Sequence, residues 1–86
     1  MTIPRFKPGV RLHRDRVRDR WVLLAPERVV GLDDIAYAIL EKVDGSASLD
    51  EIATSLAAEY DADAGEIATD ASVLLADLAA RGYVAA

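Results

Sequence analysis

The amino-acid sequence predicts an α+β domain, in which a three-stranded antiparallel meander is followed by three helices. Apolar residues alternate with a period near two before residue 32, and they follow helical spacing after it. Charge changes at the same place: residues 1–31 carry eight basic and three acidic side chains, whereas residues 32–86 carry two and twelve. For a chain of 86 residues we expect one domain over 1–86, with strands at about 9–32 and helices at about 33–81.

Three short β-rich runs predict the meander. Residues 10–16 follow Pro8-Gly9 and begin by alternating apolar with polar side chains, as a half-buried strand does. Residues 20–25 are rich in β-forming side chains, include Trp21 as an expected core residue, and end at Pro26. Residues 28–32 form a third, brief apolar stretch. Its shortness makes it a candidate edge strand with unpaired backbone groups.

Each of the three predicted helices has its own start and stop signals. Asp33 and Asp34 place negative charge at the start of the first helix, and Gly45 is expected to cap its end. The second helix begins at the capping box Ser48-Leu-Asp-Glu51. The third runs from a similar sequence at residues 63–66 to Arg81-Gly82, and residues 83–86 are expected to pack or pair as a short final segment. A small sheet with three helices is winged-helix-like.

The residues required for catalysis or metal binding are sparse. The sequence has no Cys and a single histidine, His13, which excludes disulfides and a Cys-based zinc site. It has no glycine-rich phosphate loop, and its acidic pairs lie at helix starts, where capping explains them. We therefore expect a binding domain and not an enzyme, with no catalytic residues, no metal and no cofactor.

Hydropathy bears on location. No apolar run approaches the roughly 18 residues of a membrane span. The first residues, Met1-Thr-Ile-Pro-Arg-Phe-Lys7, lack the apolar centre of a signal peptide. We therefore expect a cytoplasmic protein that does not interact with a membrane.

The separation of charge has two interpretations: the basic and acidic parts attract each other across the fold, or the basic strands meet an acidic partner. A DNA-binding winged helix and a structural dimerisation domain are the alternative functions. DNA-reading helices carry Lys and Arg, whereas the predicted helices here carry only Lys42 and Arg81. Repulsion from phosphate disfavours a nucleic-acid partner.

The same residues carry a resemblance to a known family. The segments Pro8-Gly-Val-Arg-Leu12, Trp21-Val-Leu-Leu-Ala-Pro-Glu27, Leu32-Asp-Asp-Ile-Ala36 and Val43-Asp-Gly45 are similar to those of the PqqD family. The similarity continues through Leu49-Asp-Glu-Ile52, Leu56, Tyr60, Asp70, Leu78, Gly82 and Val84, and so covers nearly the whole chain. One departure is Asp70-Ala71, where the family pattern has Asp-Val; the change is conservative.

The resemblance implies a function. PqqD-like domains are peptide chaperones of pyrroloquinoline quinone biosynthesis and recognise the leaders of ribosomally made, modified peptides. The implied partners are the precursor peptide PqqA and the radical SAM enzyme PqqE, which cross-links a Glu and a Tyr of the precursor. The domain itself would perform no chemistry.

The resemblance also implies a site. A leader peptide adds as a strand to a sheet edge, in a groove between the third strand and the third helix. The residues implied are Arg28, Val29, Val30, Gly31, Leu32, Asp70, Leu74, Leu75 and Leu78. On the third helix we expect Leu74 in the core and Leu75, about 100° away, on the flank that faces the groove. Val30→Pro should weaken strand addition, unless the Val30 amide faces the second strand. The exposed edge also makes a homodimer possible.

Overall fold

The computed structural model describes residues 2–85. Four strands come first: β1 (Arg5–Phe6), β2 (Arg11–Asp15), β3 (Arg20–Ala25) and β4 (Arg28–Gly31). Three helices and a last strand follow: α1 (Asp34–Glu41), α2 (Leu49–Tyr60), α3 (Ala64–Ala80) and β5 (Val84–Ala85). The predicted α+β class, with a meander followed by three helices, is confirmed.

The meander is antiparallel, with the strand order β2-β3-β4. Leu12, Leu23 and Val30 are partners across the three strands and share the face that packs on the helices. The β3–β4 connection has only two residues: Pro26, and Glu27 with φ of 68°. Proline followed by a positive φ is typical of a type II turn. This tight turn sets the register in which β4 pairs with β3.

The helix starts agree with the predicted capping signals. Asp33 accepts a hydrogen bond from the Ala36 N–H, and Asp63 accepts one from the Glu66 N–H. At α2, Ser48 and Glu51 form both hydrogen bonds of the capping box. These bonds satisfy N–H groups that have no partner inside the helix.

The ends of α1 and α3 differ from each other. Gly45 was expected to cap α1, but the helix ends at Glu41 because the Lys42 and Val43 amides turn back to carbonyls only three residues earlier. Gly45, with φ of 78°, lies instead in the loop to α2. At the end of α3, Gly82 and Tyr83 donate to the carbonyls of Ala79 and Leu78. That pair of bonds is the Schellman motif, which the predicted Arg81-Gly82 stop sequence favours.

A small second sheet joins the two ends of the described chain. β1 pairs antiparallel with β5, so that Phe6 lies opposite Val84. The closing segment was expected to pack or pair, but its partner strand at Arg5–Phe6 was not predicted. A two-residue strand has too few residues to show a period, which is why the sequence pattern misses it.

The core lies between the meander and the helices and is completed by the small sheet. Its buried members are Val10, Leu23, Ile39, Leu40, Val43, Ile52, Leu56, Ala71, Leu75, Leu78 and Val84. Trp21, which was expected in the core, is half-buried and stacks on Tyr37 of α1, with the ring centroids 4.2 Å apart. A hydrogen bond that the Tyr37 hydroxyl donates to the Glu41 carboxylate raises the pKa of Tyr37 above its usual value.

Among residues 2–85, no ion pair joins the basic strands to the acidic helices. Four ion pairs are formed within residues 2–85: Arg14–Asp19, Arg18–Asp15, Lys42–Glu59 and Arg81–Asp77. The first two lie at the β2–β3 turn, the third links α1 to α2, and the last lies at the end of α3. The expected attraction across the fold is therefore not made by direct ion pairs in this part of the chain.

Candidate functional site

The edge of the meander at β4 presents backbone groups that no strand pairs within residues 2–85. β4 pairs with β3 on one side only. The Leu32 N–H continues the ladder by donating to the Trp21 carbonyl at 3.1 Å. Antiparallel pairs alternate between hydrogen-bonded and non-hydrogen-bonded, so Val30 also turns its N–H and C=O toward β3. Val29 and Gly31 therefore direct theirs to the free edge.

Two cavities lie beside this edge, one at each end of β4. The first, of about 620 Å³, is lined by Asp33 and the start of α1 on one side and by α3 on the other. The α3 residues that line it are Asp70, Val73, Leu74 and Asp77. The second, of about 710 Å³, lies among Pro26, Glu27, Arg28, Arg81 and Tyr83. β4 connects the two linings in the chain, and α3 together with Arg81 just after it contributes residues to both. We call this region the β4–α3 groove.

The structure brings the predicted strand residues together at this edge. Arg28, Val29 and Gly31 are exposed, while Val30 and Leu32 are half-buried against the core. Val30→Pro was expected to remove a donor from the free edge. The ladder shows the other alternative, in which the Val30 amide faces β3.

On α3 the predicted assignment of the two leucines is wrong. Leu75 is 3% exposed and Leu78 is 2% exposed, and both belong to the core. Leu74 is half-buried and lines the 620 Å³ cavity with Asp70. The core-facing stripe passes through Ala71, Leu75 and Leu78, at i, i+4 and i+7, which turns Leu74 toward the flank. Leu74 is thus the groove residue and Leu75 the core residue.

Six residues that line the 620 Å³ cavity were not predicted as site residues: Asp33, Ile35, Ala36, Ile39, Val73 and Asp77. On α3, Asp70, Val73, Leu74 and Asp77 follow the spacing i, i+3, i+4 and i+7 and so form one stripe. Val73, which is 67% exposed, gave no distinct signal in the sequence, because single exposed apolar residues are common on protein surfaces. Asp33 and Ala36 join the groove only through the packing of α1.

The two sides of the groove differ in charge. The α3 side and the start of α1 contribute the carboxylates Asp33, Asp70 and Asp77, and Asp77 is paired with Arg81 at 3.1 Å. The β4 side carries the exposed Arg28 at its first residue. A ligand in the groove therefore meets carboxylates on the helix flank and Arg28 on the strand side, with Glu27 and Arg81 beside it at the second cavity.

The rest of the described chain offers no competing site for chemistry. Among residues 2–85 no group of three His, Cys, Asp or Glu side chains is placed to hold a metal ion. His13 is exposed on β2. None of the helices formed by these residues is long and apolar enough to cross a membrane.

Comparison with known proteins gives consistent matches. The family model described as Coenzyme PQQ synthesis protein D (PqqD) matches residues 20–84. A PqqA binding protein of Xanthomonas campestris pv. campestris is 63% identical over 67 residues, which are 78% of this chain and 73% of the relative. A PqqA binding protein of Xanthomonas oryzae pv. oryzae is 56% identical over 75 residues, which are 87% and 82% of the two chains.

Solved structures agree with the fold. The NMR structure of the PqqD truncation of Methylobacterium extorquens PqqCD, described as a stand-alone recognition element for ribosomally made, modified peptides, matches with a TM-score of 0.85 and 46% identity, over 96% of this chain and 88% of that one. The crystal structure of PqqD from Xanthomonas campestris matches with a TM-score of 0.62 and 57% identity, over 87% of this chain and 83% of that one. Lasso peptide synthetase B1, complexed with the leader peptide, shares the fold. Its TM-score is 0.80 and its identity 21%, over 99% of this chain and 100% of that one.

Proposed function

Since the chain belongs to the PqqD family, we propose that it is a peptide chaperone of pyrroloquinoline quinone biosynthesis. It binds the precursor peptide PqqA and presents it to the radical SAM enzyme PqqE. The relatives carry the name PqqA binding protein, and a related domain is described as a peptide recognition element. Members of this family are recognition proteins and not enzymes, so the chemistry belongs to the partner.

The free edge of β4 is the observation that supports peptide binding most directly. An added strand would bond to the outward N–H and C=O groups of Val29 and Gly31. Its apolar side chains would reach the 620 Å³ cavity between α1 and α3. Backbone bonds supply affinity in this mode, and the cavity supplies specificity.

Presentation to PqqE is tested by reconstituting the cross-linking reaction with and without the chain. The domain alone should leave the precursor unchanged, and PqqE should form the Glu–Tyr cross-link efficiently only when the domain is present. Equal cross-linking in both reactions would contradict presentation. Binding of PqqA without any effect on cross-linking would limit the function to peptide capture.

A DNA-binding winged helix receives no support from the charges on the helices. Glu66, Asp70 and Asp77 are all exposed on α3, the helix that would read DNA. Such a surface repels phosphate. Salt separates the two functions, because DNA binding weakens steeply as salt is raised, whereas strand addition depends on it weakly.

Self-association would use the same edge. Two copies that pair through β4 leave no unpaired β4 edge for a peptide. A homodimer of this kind should therefore dissociate when PqqA is added. Sedimentation of the chain with increasing peptide measures this competition.

A further inference from the structure

The side chain of Arg20 lies across the backbone of Gly31, on the face of the meander that points away from the helices. A Cβ atom placed on Gly31 would come within 2.7 Å of Arg20 Nη1 and 2.9 Å of its Cζ. Gly31 is the cross-strand partner of Val22, two residues from Arg20 on the same face of β3. The missing side chain of Gly31 therefore lets the guanidinium extend over β4, the strand with the free edge.

Arg20 forms no ion pair within residues 2–85, although Asp15, whose carboxylate pairs with Arg18, is its cross-strand partner. Its side chain is exposed, and it takes part in none of the four ion pairs formed within residues 2–85. Its neighbours Arg14 and Arg18 do have carboxylate partners, Asp19 and Asp15. Because Arg20 lacks such an ion pair, its charge remains available to an acidic partner.

Strand addition at β4 would place one peptide side chain beside this guanidinium. Residues opposite each other on neighbouring strands point to the same face, about 4.5–5.5 Å apart. The peptide residue opposite Gly31 would therefore point outward, into the space where Gly31 has no side chain and Arg20 lies. A carboxylate there can accept two hydrogen bonds from the planar guanidinium, whereas an amide side chain forms a weaker, uncharged contact.

We propose that Arg20 determines specificity by selecting an Asp or Glu side chain of the precursor peptide at the position opposite Gly31. The inference rests on the proposed function, since it requires a peptide strand at the free edge of β4. It makes that function more specific, because it states that the bound peptide carries an acidic residue and that Arg20 of this chain recognises it.

The test measures binding of synthetic PqqA to the full chain by calorimetry, together with peptides in which each Asp or Glu is replaced in turn by its amide. For the wild-type chain, one replacement should weaken binding about tenfold, the effect of losing one charge-assisted bond. Arg20→Gln should weaken binding of the parent peptide by a similar factor. Arg20→Gln should bind the parent peptide and that amide peptide with equal affinity, because the guanidinium that distinguishes a carboxylate from an amide is absent.

Two further variants separate position from charge. Arg11→Gln removes the same charge from the same outer face, but from β2, two strands away from the free edge, and it should bind within about twofold of wild type. Gly31→Ala adds a methyl group that displaces the flexible end of Arg20. It should reproduce the effect of Arg20→Gln and add nothing to it in the double variant. Circular dichroism confirms that each variant is folded.

The outcomes distinguish the inference from the function on which it rests. If wild type does not bind PqqA, both are overturned. If wild type binds but folded Arg20→Gln and Gly31→Ala both bind the parent peptide as tightly, only the role of Arg20 is overturned. The role of Arg20 is also overturned if Arg20→Gln binds every amide-substituted peptide more weakly than wild type does, by the same factor each time. In that case Arg20 recognises no single acidic residue of the peptide.

Discussion

Leu74 and Leu75 are adjacent in α3, yet one lines the β4–α3 groove and the other lies in the core. Leu75→Ala should lower the free energy of unfolding by about 2–5 kcal/mol, because it leaves a cavity in a well-packed region. Leu74→Ala should cost much less stability and should weaken PqqA binding by about tenfold through lost apolar contact. Thermal melting and peptide titration of both variants measure this difference. Equal melting temperatures, with unchanged affinity for Leu74→Ala, would contradict the assignment.

Asp44 organises the loop between α1 and α2 through its charge. Its carboxylate accepts hydrogen bonds from the Ala47 and Ser46 N–H groups, at 2.9 and 2.8 Å. These bonds lower the pKa of Asp44 below its usual value of 3.8. The folded state thus favours the ionised form, so the stabilisation is present above the unfolded pKa and is lost as pH falls through the folded one.

The linkage predicts how an Asp44 variant responds to pH. Asp44→Ala should melt at a lower temperature than wild type near pH 7, and the gap should shrink as the pH falls below about 4. Asp44→Asn keeps an oxygen acceptor and loses only the charge. Its melting temperature at neutral pH should therefore lie between those of wild type and Asp44→Ala. Melting curves over this range test the prediction. A gap of constant size at all pH values would show that the charge of Asp44 plays no part.

At the scale of elements, β4 is a strand whose two edges have different roles. Val29→Pro removes an N–H that points to the free edge, a position where sheets tolerate proline. The variant should fold and should bind PqqA about tenfold more weakly, which is the effect of losing one hydrogen bond. Val29→Ala, which keeps the N–H, is the matched control and should bind nearly as well as wild type.

Val30→Pro affects the opposite edge. It removes a bond to β3 and leaves the Leu23 carbonyl without its donor, so it should lower the free energy of unfolding by about 1–3 kcal/mol. Urea denaturation of both proline variants, beside the binding data, distinguishes the two edges. Loss of folding in Val29→Pro with a stable Val30→Pro would show that the assigned direction of the amides is reversed.

The elements themselves follow closely from local sequence. The capping residues Asp33, Ser48 and Asp63 each accept the hydrogen bond that their positions predict. Such bonds span only three residues, so they can be inferred without knowledge of the fold. Gly45 shows the limit of this reasoning, because α1 ends four residues earlier, at Glu41, where the Lys42 and Val43 amides turn back to nearby carbonyls.

At the scale of the whole molecule, the N-terminal segment completes the core. Pro4 is fully buried, Phe6 packs against the core cluster, and the Leu49 N–H donates to the Thr2 carbonyl at 2.8 Å. β1 then pairs with β5, which follows α3. The segment therefore links the start of α2 to the end of α3. The Lys7 N–H donates to the Tyr83 carbonyl beside the 710 Å³ cavity, whereas the Phe6 side chain packs on the core.

This position predicts that Phe6→Ala acts on stability and not on binding. The variant should lose about 1–3 kcal/mol of unfolding free energy, less than a fully buried aromatic residue would, because Phe6 is only half-buried. Lys7→Ala, at the exposed neighbouring position, should change stability by less than about 0.5 kcal/mol. Chemical denaturation compares the two. Equal stability of the two variants, or loss of PqqA affinity in folded Phe6→Ala, would contradict this role.

The sequence alone determined the fold class, the meander, the three helices and their caps, and the brief third strand as the edge. These features depend on interactions between residues close in the chain: alternation, capping and tight turns. The strand residues of the candidate site, Arg28 to Leu32, follow from the same local reasoning together with the family resemblance.

Only the tertiary structure decided which side of each helix and strand faces the core, a neighbouring strand or the groove. The flank of α3 that carries Leu74, the partner of β5, the direction of the Val30 amide and the place of Arg20 over Gly31 all depend on residues distant in the chain. The apolar stripe of α3 contains one more residue than the core can cover, so the sequence does not show whether Leu74 or Leu75 is buried. Packing against α1 and α2 decides that Leu75 is buried. The groove exists because those distant contacts leave the edge of β4 and the Leu74 flank of α3 uncovered.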